Sequence, residues 1–279
     1  MERRLMVSSD RSSTDRRSSS EEPPKQQGSS AGEALVDRVF ALLGSFDSEN
    51  RAQPLAGLTR RTGMPRSTAL RLARQLTDVG ALERLEDGRF VVGLRLLEIA
   101  SLAPRGHGLR AVAMPFMEDL FHVTGQHVLL AVRDNDEAML VERLSAHDAV
   151  PVRFRVGERM ALTTTGVGLV LLANAPAEVQ ERVLRGFTPE EAGESIATAE
   201  DLRRSLAEIR RGDYAVARRA DPKNPRTTAA APVRNGTGVV AALSVVAPSP
   251  EFDPAAYVPA VRATARAISR QLQSTEAVR

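Results

Sequence analysis

The chain has 279 residues, enough for two domains of ordinary size, and it contains 42% hydrophobic residues and no cysteine. The lack of cysteine excludes disulfides, thiolate nucleophiles and cysteine-ligated metal, and a net charge of only +3 means that any strongly basic surface must be local. No run of about 18 apolar residues occurs, and the N-terminus lacks the apolar segment of a secretory signal. We therefore expect a cytoplasmic protein that does not enter a membrane.

Residues 1–31 are rich in Ser, Arg and Glu and contain almost no large apolar side chain after Val7. Such a segment cannot bury enough surface to offset the entropy cost of ordering, so its composition predicts a disordered tail. Its acidic residues nearly cancel its basic ones, which favours a solvated tail over a phosphate-binding arm.

Residues 32–93 are predicted to form three helices followed by a β-hairpin. The first helix ends at Gly44, and the second covers roughly residues 54–61, after which Gly63 supplies the tight turn of a helix-turn-helix unit. Two short alternating strands on either side of Gly88 form the hairpin. This order of elements is typical of a winged helix-turn-helix domain.

The third helix, which starts after Pro65, has an apolar face and a basic face. Its apolar side chains follow the i, i+3, i+4, i+7 spacing of a buried face, and they are Ala69, Leu72, Ala73 and Leu76. From Arg51 to Thr77 there are six arginines and no acidic residue. The second helix of a helix-turn-helix enters the major groove. We therefore predict DNA contacts on the opposite face and beside the hairpin turn, from Arg66, Ser67, Thr68, Leu70, Arg71, Arg74, Arg84 and Arg89.

Arg66 is the leading candidate for a base contact, because a guanidinium pairs bidentately with guanine O6 and N7. Leu70 lies on the same face, where it either meets a thymine methyl group or reads no base. An arginine-rich helix face is by itself more often a solvated surface. The turn glycine, the proline, the Ser-Thr pair, the clean apolar face and the following hairpin together favour double-stranded DNA as the partner.

The rest of the chain is predicted to form a linker helix over residues 94–107 and a second domain over residues 108–274. The linker helix is apolar on more than one side and is therefore expected to pack against another element or another subunit. The segment Pro104–Gly108 is expected to be a loop that separates the domains. Further along, strand pairs alternate with helices, and one expected strand covers residues 152–156. This mixture predicts an α+β domain with an antiparallel sheet.

The segment GLTRRTGMPRSTALRLARQL at 57–76 resembles the second and third helices of IclR-type transcriptional regulators. Further segments resemble the same family in the same order, namely VERL at 141–144, RVGERMALTTTGVGLVLLA at 155–173, a GF-T turn at 186–188, and AAPV followed by GVVAALSVVAPSPEF up to Phe252. The resemblance implies an α+β fold with an N-terminal winged helix-turn-helix, a linker helix and a GAF-like C-terminal domain. It also implies dimers or tetramers that repress or activate nearby genes, and we favour repression.

The resemblance further implies a small-molecule effector pocket, often for an organic acid, with a wall formed by Val152, Met160, Thr164, Thr165, Gly166, Val167, Thr228, Ser244 and Val246. A helix that starts after three threonines also suits a carboxylate at its N-terminus, although an ordinary helix cap has the same sequence. The chain departs from the family at Thr163, Leu169 and Thr228, and Arg218-Arg219 replaces an acidic run. These departures leave open a regulator that has no effector and whose second domain only forms oligomers.

Catalytic chemistry is not indicated by the sequence. The four histidines lack metal-ligand spacing, and there is no nucleophile-elbow, Walker A or dinucleotide-binding motif. We therefore expect neither an enzyme nor a bound cofactor or metal. A small-molecule-binding or catalytic protein with a vestigial winged helix is a third hypothesis, and the arginine-rich third helix argues against it.

Overall fold

The computed structural model describes residues 31–145, 154–189, 196–219 and 224–277. These residues form two compact units, of which the first ends at Gly93 and the second begins at Leu94. The predicted tail, apart from its last residue, lies outside the described residues, as does Val152.

The first unit combines three helices with a small antiparallel sheet. The helices are α1 (Ala31–Leu43), α2 (Leu55–Thr62) and α3 (Arg66–Asp78). The strands are β1 (Ala52–Gln53), β2 (Leu82–Arg84) and β3 (Phe90–Val92), paired in the order β1-β3-β2. The predicted helix-turn-helix and hairpin are therefore confirmed to within a residue or two at each end.

The core of the first unit is built from leucines of different elements. Leu58 of α2, Leu72 of α3 and Leu82 of β2 are fully buried. Buried polar contacts join β1 to the end of α1, since the Gln53 side-chain amide donates a hydrogen bond of 2.6 Å to the carbonyl of Ser45. Packing on one face of α3 leaves its other face to solvent.

The second unit is a mixed α+β structure. Its helices are α4 (Leu94–Ser101), α5 (Leu109–Thr124), α6 (Gly166–Ala173), α7 (Ala177–Arg185), α8 (Ala199–Gly212) and α9 (Pro254–Ala277). Its strands are β4 (His127–Asp134), β5 (Glu137–Leu144), β6 (Arg159–Ala161), β7 (Ala215–Arg219), β8 (Arg226–Asn235) and β9 (Gly238–Pro248). Within the described residues the strands form one antiparallel sheet in the order β6-β5-β4-β9-β8-β7.

Two element predictions in the second unit were wrong. The segment Pro104–Gly108 is a π-helical turn that runs directly into α5 rather than a loop. The expected strand at 152–156 is absent over its described part, residues 154–156, and the strand in this region is β6, which begins at Arg159. Short apolar segments carry too weak a pattern to fix which residues pair with a neighbouring strand.

Helices cover both faces of the sheet and produce two cores. One core lies between the sheet and helices α6 and α8, and every residue of α6 is buried. The other lies between the sheet and helices α5 and α9, where Met117 and Ile268 are fully buried. The central strands β4 and β9 are therefore apolar on both faces, which explains their continuous apolar sequences.

A bulge in β5 changes which face its side chains occupy. Leu130 pairs with Glu142, whereas the next residue, Ala131, pairs with Leu140, so one residue of β5 is left over. The shift turns Glu142 toward α5, where its carboxylate accepts a hydrogen bond from the Arg110 guanidinium. This ion pair ties the first turn of α5 to the sheet.

Candidate DNA-binding surface and ligand pocket

Helix α3 presents a basic face because its apolar face is used for packing. The four predicted core residues, Ala69, Leu72, Ala73 and Leu76, are all buried. On the opposite face Arg66, Ser67, Arg71 and Arg74 are exposed, and Thr68 and Leu70 are half-buried. The structure therefore brings the six predicted DNA-contact residues of this helix onto one surface.

The start of α3 offers backbone donors next to this surface. Pro65 precedes the helix and supplies no side-chain cap, so the first N–H groups of the helix are left for an outside acceptor. Helix N-termini with free N–H groups bind phosphate oxygens. The turn before Pro65 depends on Gly63, whose φ of 69° lies in the left-handed region.

The hairpin after α3 carries less positive charge than the sequence pattern suggests. The Arg89 Nε donates a hydrogen bond of 2.6 Å to Asp87, and the backbone and side chain of Arg89 hold the pKa of Asp87 below its ordinary value. Arg84 lies over the Phe90 ring at 5.8 Å. Residues 82–92 contain two arginines and three acidic residues, Glu83, Glu86 and Asp87, so their net charge is −1. Both arginines are exposed, but the basic surface is concentrated on α3.

The second unit contains a cavity of about 60 Å³ between the N-terminus of α6 and the sheet. Eight of the nine predicted pocket residues line it, namely Met160, Thr164, Thr165, Gly166, Val167, Thr228, Ser244 and Val246. The ninth, Val152, lies outside the described residues. Six further residues complete the wall: Leu129, Phe154, Ala217, Arg218, Arg219 and Arg226.

The start of α6 and a buried hydroxyl both line the cavity. Thr165 caps α6 by accepting a hydrogen bond of 3.0 Å from the Gly168 N–H, and its hydroxyl lies 3.6 Å from the sulfur of Met160. Gly166 lies so close to Thr228 that an added Cβ would come within 2.8 Å of the threonine methyl carbon. Ser244, only 1% exposed, has a hydroxyl without a hydrogen-bond partner among the described residues.

Two domain models match the chain. Residues 35–86 match the IclR helix-turn-helix domain, and residues 103–270 match the C-terminal domain of the bacterial transcriptional regulator IclR. This chain belongs to the IclR family.

Relatives of this IclR-family chain are transcriptional regulators. RhmR of Escherichia coli K12 is 30% identical over 66% of this chain and 71% of its own length. The repressor AllR of Klebsiella pneumoniae is 27% identical over 86% of this chain and 90% of its own. A crystal structure of an IclR homolog from Microbacterium hydrocarbonoxydans, complexed with 4-hydroxybenzoate, is 36% identical, with a TM-score of 0.78 over 85% of this chain and 98% of that one.

Membership in the IclR family makes the chain a DNA-binding transcriptional regulator and not an enzyme. Across the described residues, no group of three histidines or carboxylates is placed to hold a metal ion. Nor does any helix in that part of the chain have the length and apolarity needed to cross a membrane.

Sequence analysis did not identify one of the three arginines at the cavity. Arg226 lines the cavity together with Arg218 and Arg219. The signal that would have found it is strand register, since Arg219 and Arg226 are paired residues on β7 and β8. Register between two neighbouring strands cannot be derived from alternation alone.

Proposed function

We propose that this chain is a transcriptional repressor that releases its DNA when a small organic acid binds in the cavity at the start of α6. The observation that carries the proposal is Ser244, whose buried hydroxyl lines the cavity and has no partner in the described part of the chain. Leaving such a group unsatisfied costs roughly 1–3 kcal/mol. A carboxylate oxygen of a bound acid would accept a hydrogen bond from this hydroxyl.

The N-terminus of α6 supports the choice of an anion. The Thr165 cap uses the N–H of Gly168, which leaves the N–H groups of Gly166 and Val167 at the cavity wall. Together with the helix dipole, these groups favour a negative charge. The effect is larger here than at a surface because the whole helix is buried and screening by water is weak.

The size of the cavity limits what fits without rearrangement. Its volume of about 60 Å³ is smaller than the ~150 Å³ of an apolar protein cavity that accepts benzene. An aromatic acid such as the 4-hydroxybenzoate bound by the Microbacterium homolog therefore requires side-chain movement. Met160 is suited to this, because its unbranched side chain has several rotatable bonds. The small volume also favours the second candidate, a regulator without an effector.

For DNA, we propose contacts from the exposed face of α3 and weaker ones from the hairpin. The first turn of α3 and Arg66 would meet base edges and nearby phosphates, while Arg71 and Arg74 would follow the backbone. Arg84 and Arg89 would add contacts beside the hairpin turn. Repression is favoured because AllR, a relative that this chain matches over most of its length, is named a repressor.

We also propose that the chain acts as a homo-oligomer in the cytoplasm. Exposed apolar side chains lie on α1 and on α4, among them Phe40, Leu94 and Leu97. Large apolar side chains left in water on helices of this kind favour contact with a second copy. A two-fold dimer presents two recognition helices to two DNA half-sites about one helical turn apart.

A thermal-shift screen of small carboxylates, including 4-hydroxybenzoate, tests effector binding. A ligand at 100 times its Kd stabilises the folded state by about 2.7 kcal/mol, and we expect at least one acid to raise Tm. Ser244→Ala should remove the shift, whereas Ser274→Ala, an exposed hydroxyl on α9, should keep it. If no carboxylate raises Tm, the regulator without an effector is the correct account.

A salt titration tests DNA binding. The full chain should lose affinity for duplex DNA steeply between 50 and 200 mM salt, with a slope of about −0.9 for each phosphate that it neutralises. An affinity that does not change with salt would contradict the assignment of the α3 arginines to the phosphate backbone.

A further inference from the structure

We propose that the second unit contains another ligand site, at the junction between α4 and α5, and that it binds a carboxylic acid with a long apolar body. The site is a pocket of about 560 Å³ that shares no lining residue with the cavity at the start of α6. Its volume lies within the roughly 300–1,000 Å³ of small-molecule sites. The α6 cavity, at about 60 Å³, is far smaller.

The wall of this junction pocket is built from several parts of the second unit. The end of α4 and the π-helical turn form one part, and α5, the C-terminal part of α9 and the hairpin of β8 and β9 form the rest. Segments of π-helix are rare and occur frequently at functional sites. A ligand in the pocket would contact the turn through which α4 continues into α5.

Most of the wall is apolar. Val240 and Leu272 are partly buried against the core between the sheet and helices α5 and α9, and they also line the pocket. Leu102 lines it although 81% of this residue is exposed, so an apolar ligand would remove its side chain from water. The apolar part of the wall comprises Leu102, Leu109, Val112, Val240 and Leu272.

Arg105 gives the pocket a positive charge. Its guanidinium donates a hydrogen bond to the carbonyl of Arg133 and forms no ion pair with any described residue. The described residues that line the pocket include no aspartate or glutamate. The hydroxyls of Ser101 and Thr275 already donate to carbonyls of their own helices. Because a guanidinium has five N–H donors and pairs well with a carboxylate, an acid with an apolar chain complements both parts of the wall.

Calorimetric titration of the full chain with three probes at one ionic strength tests the proposal. Octanoate should bind at least about tenfold more tightly than butyrate, because four more methylene groups meet the apolar wall. It should also bind at least about fivefold more tightly than 1-octanol, which has the same chain without the charge. No measurable octanoate binding, or equal affinities for the three probes, would overturn the proposal.

Variants locate the bound octanoate. Arg105→Gln, at an exposed position, should bring the affinities for octanoate and 1-octanol to within about twofold of each other, whereas Arg211→Gln, an exposed arginine of α8 outside the pocket, should keep them apart. Val112→Phe adds a ring at a half-buried wall position and should weaken octanoate binding about tenfold. Ala111→Phe adds the same ring at an exposed position outside the wall and should not. Octanoate binding that neither Arg105→Gln nor Val112→Phe changes would place the acid elsewhere and overturn the assignment.

A second copy of the chain is the competing occupant of the junction pocket. If the apolar wall is covered by another subunit, octanoate must displace that subunit in order to bind. Sedimentation of the full chain with and without saturating octanoate distinguishes the two occupants. An unchanged mass is expected for a ligand site, and dissociation into smaller species by octanoate would contradict it.

Discussion

The two units of this protein use arginine in different ways. On α3 of the first unit, Arg66, Arg71 and Arg74 are exposed and form no ion pair with any described residue. On the surface of the second unit, arginines repeatedly meet carboxylates, as in Arg182 with Asp136 and Arg203 with Glu181.

The contrast indicates where outside anions bind. An exposed ion pair contributes only about 0–1 kcal/mol to stability, but it neutralises a charge that would otherwise attract phosphate or carboxylate. Arginines without an acidic partner repel one another and stay available for a ligand. In the described part of this chain, Arg66, Arg71 and Arg74 are arginines of this kind, and they lie on the surface proposed for DNA.

The largest expected effect comes from removing the α3 charges. Replacing Arg66, Arg71 and Arg74 together by Gln should weaken binding to a specific DNA site by about 100-fold or more, since a single base contact is worth about 1–3 kcal/mol. Fluorescence anisotropy with a labelled duplex measures this. Arg203→Gln, a neutralised arginine of the second unit, is the matched control and should leave the Kd unchanged. Equal losses of DNA affinity in the triple variant and in Arg203→Gln would contradict the different roles assigned to paired and unpaired arginines.

The second largest effect is on stability, where a partly buried ion pair is expected to contribute more than an exposed one. Arg110→Ala should lower the free energy of unfolding by roughly 1–3 kcal/mol, because it leaves the Glu142 carboxylate, with only 10% of its side chain exposed, without its guanidinium. Arg203→Ala should cost no more than about 1 kcal/mol. Urea unfolding of both variants measures the two losses in the free energy of unfolding. Equal losses would show that the burial of Glu142 does not increase the contribution of its ion pair to stability.

A smaller effect is expected in the hairpin, where an arginine is paired within the DNA-binding unit. Asp87→Asn removes a negative charge and releases Arg89, so DNA affinity should rise, by no more than about fivefold given the ~0–1 kcal/mol of an exposed charge interaction. Duplex binding at low salt gives the most sensitive measurement. A loss of affinity would mean that the pair positions the hairpin rather than weakening its contacts.

The smallest effect concerns pH. The hydrogen bond from Arg182 lowers the pKa of Asp136, so the pair stabilises the folded state above the unfolded carboxyl pKa of about 3.9, and the stabilisation is lost as pH falls through the lower folded pKa. Arg182→Gln should therefore be slightly less stable than the parent at neutral pH and equally stable in strong acid. Thermal unfolding from neutral pH to strong acid measures the stability difference between the parent and Arg182→Gln. A difference that grows as the pH falls would contradict the prediction.

Much of the first unit was predictable because its signals are local. Four apolar residues at helical spacing fixed which side of α3 is buried, and Gly63 and Gly88 marked turns that require positive φ. Local sequence could not show that Arg89 is held by Asp87. The reason is that this pairing depends on side-chain geometry within the turn.

The second unit was less predictable because its site is assembled from distant segments. The start of α6 is visible as a threonine-rich helix cap, but the bulge that turns Glu142 toward α5 and the pairing of Arg219 with Arg226 depend on strand register. Register is set by tertiary packing and turn geometry. The family resemblance supplied eight residues of the cavity wall, whereas Arg226 emerged only from the structure.

The most direct test joins the two surfaces in one titration. A DNA site is first selected from a random duplex library with the full chain, and its Kd is then measured with and without a saturating concentration of the acid that binds best. The account predicts that the acid raises the Kd of the parent protein at least about tenfold, and that Ser244→Ala needs a much higher acid concentration for the same release. An unchanged Kd at saturating acid would contradict effector-controlled repression.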